Sequence, residues 1–399
     1  MARTKATLPG GARLADHLAV GFLAMNCPLE TVRAVLVAHA AQSKRRRGLP
    51  HEVLVYFVMA MCLYGSVAYE EVLRLVIEGL RELWGDAGVE RAAVSKGAIS
   101  QARHQVGVAP LRQLYQEQVA PLGAPGAPGV WYRGYRLMAI DGSCLEMPDE
   151  AGNRQRFGYP GVSRGRAAFP QLRFVALVEC GTHVLCHAQP GAFRQGETSL
   201  AEAVLAHVQP DMLLLADRGF FSHALWQQAA DRGAKLLFRM RRNQRLPREQ
   251  PLADGSYLTT LYPQGKPSRR ARGTVVRVIE YTLEGMADAE PSYRLLTNWL
   301  DPAAAPAVEL AALYHRRWTI EQSFDELKVH LPERRVLLRS KTPDLVEQEF
   351  YALLLAHAAI RRLMAQAAAQ SDQAAEDLSF VHAVRVLKRR LPAAVAIPP

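Results

Sequence analysis

Between Pro121 and Gly129 the chain reads PLGAPGAPG, and the apolar rhythm differs on its two sides. Proline fixes φ and lacks an amide hydrogen, and glycine adopts almost any φ, so neither a helix nor a central strand runs through such a segment. Upstream, apolar residues recur every three or four positions over 29–40, 53–64, 70–83 and 111–119, the spacing of helices that bury one face. Downstream the runs shorten to strand length. The break therefore predicts an all-α N-terminal domain over 1–120, a linker over 121–134 and an α/β region beyond.

Within the α/β region, strands are expected at 135–144, 171–178, 183–188, 212–215 and 235–240, with helices at 197–208 and 222–232, the latter capped by Ser222. This ββ(β)αβαβ succession over 135–240 predicts a mixed sheet. Residues 241–300 break the alternation. They are basic and turn-rich, with strand-like pieces at 274–281 and 293–298, and read as a β-rich insertion. Helical periodicity resumes near Ala307 and runs to about His330, then from 344 to about 367. Residues 368–399 form a helical tail, with its helix at 380–391.

The 399 residues carry a net charge of +11, which points to a polyanionic partner, nucleic acid ahead of membrane. The basic residues fall in separated clusters at 44–47, 239–248, 266–272, 334–341 and 388–390, a spread that suits an extended polyanion better than one small ligand. Five cysteines form no zinc spacing, and with no secretory signal a cytoplasmic location is expected. The uncharged apolar stretch 53–69 is expected to be a buried core helix, so no membrane association is expected. No P-loop or G-x-G-x-x-G occurs, and no HExxH.

The residues that carry chemistry sit at three places. Tyr314, Arg317, Glu321 and Lys328 lie at offsets that, at ~100° per helical residue, project within about 60° of one another. One acid, two cations and a phenol on one stripe form a site for a phosphate-bearing substrate. Asp141 and Asp217 each end an apolar strand, with glycine within two residues. Carboxylates at strand ends, joined by a third on a helix beside the sheet, can hold two divalent cations, and hard oxygen ligands select Mg²⁺ or Mn²⁺. Glu321 is the natural third ligand and Asp325, about 40° from it, the rival. Glu146, Asp149, Glu197, Asp211 and Glu326 are the other neighbouring acids. The basic segment 95–107, capped by Ser95 and ended by Gly107, suits either a DNA groove or an exposed helix without a ligand.

Tyr314-x2-Arg317-x3-Glu321-x6-Lys328 matches the YREK signature of IS4-family transposases residue for residue. Asp141 in IDGSCLEMPD and Asp217 in LLLADRGFFS resemble that family's two catalytic aspartates. Residues 17–120 are similar to the helical domain that precedes the catalytic region in many members. The resemblance implies an RNase H-like catalytic core with a β-rich insertion, over 135–240 and 301–367. It also implies cleavage of double-stranded DNA at the terminal inverted repeats of an element, then strand transfer into target DNA. Many relatives pass through a hairpin at the excised end, and paired-end cleavage implies a homodimer on DNA. Arg317, Lys328 and the Tyr314 hydroxyl would hold phosphate oxygens. Trp318, or an insertion aromatic such as Trp299, would stack on an extruded base.

Two other readings use the same residues. A structure-specific nuclease needs the carboxylates but has no need of a separate end-binding domain. A domesticated binding protein has no use for three acids facing DNA phosphates.

Overall fold

The computed structural model describes residues 21–43, 49–84, 94–161, 167–241, 244–263, 273–282, 292–331, 338–371 and 373–389. The basic clusters 44–47 and 266–272, and Arg334, Arg335 and Arg390, lie outside them.

One mixed sheet organises the molecule. Its strands are β1 (Trp131–Tyr132), β2 (Tyr135–Glu146), β3 (Gln171–Glu179), β4 (Leu185–Ala192), β5 (Met212–Ala216), β6 (Lys235–Arg239), β7 (Gln250–Pro251), β8 (Tyr257–Leu261), β9 (Thr274–Tyr281) and β10 (Tyr293–Thr297). The order is β4-β3-β2-β5-β6-β10-β9-β8-β7, with β1 on the side of β2. β5 runs parallel to β2 and to β6, and the other pairings are antiparallel. The central strand β5 is buried along its whole length, as its unbroken apolar run MLLLA requires of a strand covered on both faces. The first five of the main strands, with the helices between them, form an RNase H-like core. The strands of the β-rich insertion do not stand apart: β10 pairs with β6, so β7 to β10 extend the same sheet. Its strand Tyr257–Leu261, missed in the sequence, alternates buried and half-buried residues.

Strand alternation assigns the two faces. On one, Phe174 meets Phe324 and Phe350, so the 307–330 segment and the long helix Pro343–Ser371 cover it. On the other lie helices Glu197–Leu205 and His223–Asp231, the second capped by Ser222 Oγ as expected from the sequence.

The long helix is buried on nearly every side because the N-terminal helices wrap it. Buried Arg103, in the basic helix Lys96–Val106, donates to Gln348 and Ser340 instead of facing solvent. Helix His51–Leu63 is almost wholly buried in the same cluster. Among the described residues no helix is long and apolar enough to cross a membrane. The N-terminal region and the α/β region thus share one continuous core.

The Pro/Gly segment is an ordered strap, because Glu179 ties it down. That fully buried carboxylate accepts from the amides of Leu122 and Gly123, and pairs with Arg136 and Thr182. The tail also packs back. Phe380 lies against His357 and Arg361, and Glu376 pairs with Arg316.

A second buried charge cluster fixes the 326–330 turn. Glu326 accepts from Arg361, with His357 Nε2 at 3.1 Å and His183 beside them, all buried. Burial opposes ionisation of Glu326, but its contacts with His183 and His357 and the charge of Arg361 outweigh it and hold the carboxyl far below the usual range. A folded pKa below the unfolded value gives stability that is present above about pH 4.3 and lost as pH falls below it. Glu326→Gln should cost roughly 3–5 kcal/mol near neutral pH, since it strands a buried guanidinium. Urea unfolding should show that deficit narrowing as pH falls below about 4. A deficit independent of pH would contradict the ionised pair.

Candidate active site

Register sets the two aspartates level. β2 and β5 pair with Ile140 opposite Ala216, so Asp141 and Asp217 are the next residues on neighbouring parallel strands. β5 ends at Ala216 while β2 continues to Glu146, so beyond Ile140 the β5 side of β2 is open. This is the carboxyl end of the parallel strands, where such sheets form their clefts.

Asp141 Oδ1 accepts from its own neighbour, the Gly142 amide (2.8 Å), and Oδ2 from Arg317 Nη1 (3.0 Å). Burial pushes its pKa up to about 6; the Gly142 amide and Arg317 lower it, and the charges of Asp217 and Glu197 raise it. Asp217 is half-buried and caps the turn that follows, accepting from the Gly219 amide.

The 307–330 run is helical but not uniform. It passes from α-helix (Ala307–Tyr314) through a 3₁₀ turn (His315–Trp318) and α-helix (Thr319–Asp325) to a π turn (Glu326–His330). A period of 3.6 does not reveal such changes of pitch, which cluster at functional sites. The stripe nevertheless faces the sheet. Arg317, only 6 % exposed, reaches Asp141 and, at 3.5 Å, Glu321. Lys328 Nζ donates to Ser143 Oγ (2.9 Å), two residues along the strand from Asp141 and on the same face. Glu321 stands at the rim, its side chain 48 % exposed. Asp325 turns to His330 (3.1 Å).

The ring of Tyr314 is buried, and its hydroxyl donates to the Ala216 carbonyl (3.3 Å). Burial pushes the phenol well above its ordinary pKa. Trp318 is 59 % exposed beside Arg317, open to a planar partner. Trp299 packs against Tyr132 and Tyr135, with Lys235 over its ring. Tyr135 is six residues from Asp141 along β2, about 20 Å away at ~3.3 Å per residue. Trp299 therefore lies at the far end of the sheet from the acids and cannot serve as the base-stacking aromatic at this site.

The donor chemistry suits a hard divalent cation: every acid here offers carboxylate oxygens, and their mutual repulsion opposes full ionisation of Asp141. Among the described residues no three such side chains converge closely enough to hold one ion. Arg317 bridges two of them instead. Glu197, read in the sequence only as one of the neighbouring acids, comes closest to the two strands: its carboxyl lies against Gly142, the residue after Asp141.

An acidic cleft at the strand ends of an RNase H-like sheet, rimmed by cations, is the architecture of an enzyme that cuts and joins DNA backbones. Residues 132–358 match the family described as Transposase DDE domain, and residues 17–116 match Insertion element 4 transposase N-terminal. The chain belongs to the DDE transposases and carries the IS4-type N-terminal region. It is a DNA transposase, of a family that catalyses strand cleavage and strand transfer and depends on divalent metal. It is 28 % identical over 345 residues to the Escherichia coli (strain K12) transposase InsG for insertion sequence element IS4, covering 84 % of this chain and 74 % of that one. The putative transposase InsZ of the same organism is 31 % identical over 218 residues, 54 % of this chain and 67 % of the relative. Among solved structures, a piggyBac transposase synaptic complex with hairpin DNA aligns at a TM-score of 0.46 and 10 % identity, over 95 % of this chain and 83 % of that one.

The Tyr314 contact gives a direct expectation. Tyr314→Phe should lower unfolding free energy by about 1–3 kcal/mol, because the buried Ala216 carbonyl loses its donor. DNA affinity in a gel-shift titration should stay within about twofold. Unchanged stability with DNA binding weakened about tenfold would instead place the phenol on DNA.

Proposed function

We propose that Asp141, Asp217 and Glu321 are the catalytic carboxylates of this transposase and hold two divalent cations, Mg²⁺ or Mn²⁺. The observation that carries the reading is the Ile140–Ala216 register, which sets two carboxylates level while Arg317 reaches from one of them to Glu321. When bound, the cations activate a water or a 3′-hydroxyl and steady the oxygen leaving phosphorus.

The chain's own residues bind and orient the DNA. Arg317 and Lys328 present cationic donors to phosphate oxygens at the scissile step. Ser143 holds the Lys328 ammonium. Tyr314 acts one step back, through the Ala216 carbonyl that precedes Asp217. Trp318 offers its exposed ring to a base displaced from the stack. Glu321 stands at the rim of the cleft, half in solvent and within 3.5 Å of Arg317. The substrates are the terminal inverted repeats of the element and then a target duplex, with two copies of the chain acting on paired ends. The N-terminal helices supply end recognition while sharing their core with the catalytic sheet.

Replacing Asp141 or Asp217 by Asn, or Glu321 by Gln, should reduce Mg²⁺-dependent nicking of end DNA by more than about 100-fold with end binding retained. Full nicking by any one variant removes that residue from the triad. Lys328→Ala should reduce the slope of log K against log salt by about 1. An unchanged slope would mean that the ammonium does not meet phosphate.

A further inference from the structure

We infer that Glu197 is a fourth carboxylate of the active site, a ligand to the divalent cation held beside Asp141. The inference rests on the site proposed above and extends it to a residue outside the triad.

Glu197 opens helix Glu197–Leu205, on the face of the sheet opposite Arg317 and Lys328. A β-carbon built on Gly142 would fall 2.8 Å from the Glu197 carboxyl carbon and 3.0 Å from Oε1, so the carboxyl lies directly over that glycine. Gly142 follows Asp141. Any other residue there would occupy the space through which the Glu197 carboxyl reaches the strand. Because β5 stops opposite Ile140, the open side of β2 starts at Asp141. An acid from the second face can therefore approach the carboxylates of the first around an unpaired edge. Asp141 Oδ1 accepts from the amide of that same Gly142, so the two carboxyl groups flank one glycine.

A purely structural role fits the contacts less well. The one ion pair described for Glu197 is with Arg173, whose Nε stands 3.8 Å from Oε1, beyond hydrogen-bond reach. Arg173 is engaged elsewhere, stacked on Phe193 and donating to the Gln195 carbonyl. Its Nε is buried without a hydrogen-bond partner. The cleft also contains an independent sign of a ligand. Arg317, only 6 % exposed, keeps its Nε buried without a hydrogen-bond partner while its Nη atoms reach Asp141 and Glu321. An anionic group entering there brings with it the need for cations among four acids. With Asp141, Asp217 and Glu321, Glu197 raises the carboxylate count to what two hard cations share with phosphate and water oxygens.

Mn²⁺ binding to the full-length chain without DNA, followed by electron paramagnetic resonance, tests this without reference to turnover. Glu197→Gln should bind Mn²⁺ about tenfold or more weakly, with thermal unfolding in the absence of metal unchanged. Gly142→Ala, which displaces Glu197 from its place while leaving its charge, should weaken binding in the same way. Glu202→Gln, on the same helix but exposed, should bind as the parent does. Parental affinity in both Glu197→Gln and Gly142→Ala, with Asp141→Ala impaired, overturns the role of Glu197 and leaves the triad standing. Parental affinity in Asp141→Ala as well overturns the triad, and the inference falls with it.

Discussion

The catalytic end of this molecule depends on one pairing, the parallel register of β2 against β5 with Ile140 opposite Ala216. Side chains alternate across a strand, so a slip of one residue would carry one aspartate to the opposite face and leave the pair unable to share a cation. The register is held by burial. Leu137 to Ile140 and Met212 to Ala216 are enclosed on both faces, and no shift preserves that enclosure. Tyr314 reinforces it from the side by bonding the last carbonyl of β5. The chemistry thus inherits its precision from the hydrophobic centre of the sheet.

Around that pair, the cations are placed by secondary structure whose pitch changes where the site needs it. The 3₁₀ turn delivers Arg317 to Asp141, and the π turn carries Lys328 to Ser143. The π turn is itself anchored from beneath, where Glu326 meets Arg361 of the long helix and His183 of the β3–β4 turn. A buried charge pair adds little net stability, but it is costly to misplace, which makes it a fixing point for the helix that bears Glu321 and Lys328. The N-terminal helices take part through the same long helix. The N-terminal region and the catalytic sheet are therefore built around one core.

Much of this was legible in the chain. The Ser95 and Ser222 caps follow from local rules, and the strands around Asp141 and Asp217 depart from expectation only at their ends. What escaped depends on contacts distant in sequence. A Pro/Gly run reads as a linker until a buried Glu179 binds its amides. The basic segment 95–107 reads as a groove-entering or a free exposed helix, and nothing local says that Gln348, 245 residues away, draws its Arg103 into the core. The β-rich character of 241–300 was legible, but nothing local says that its strand β10 pairs with β6. Trp299 and Trp318 look equivalent as aromatics, and only topology puts one at the far end of the sheet and the other beside Arg317. Glu197 reads only as one of several neighbouring acids, since what sets it apart is the side chain that Gly142 lacks.

The central claim is that the strand register makes Asp141 and Asp217 a shared seat for divalent metal. Anomalous diffraction from crystals of the chain equilibrated with Mn²⁺ tests it most directly. The account predicts an anomalous peak in contact with carboxylate oxygens of both Asp141 and Asp217. A map with no peak there, or with Mn²⁺ bound only at other acids, would contradict it.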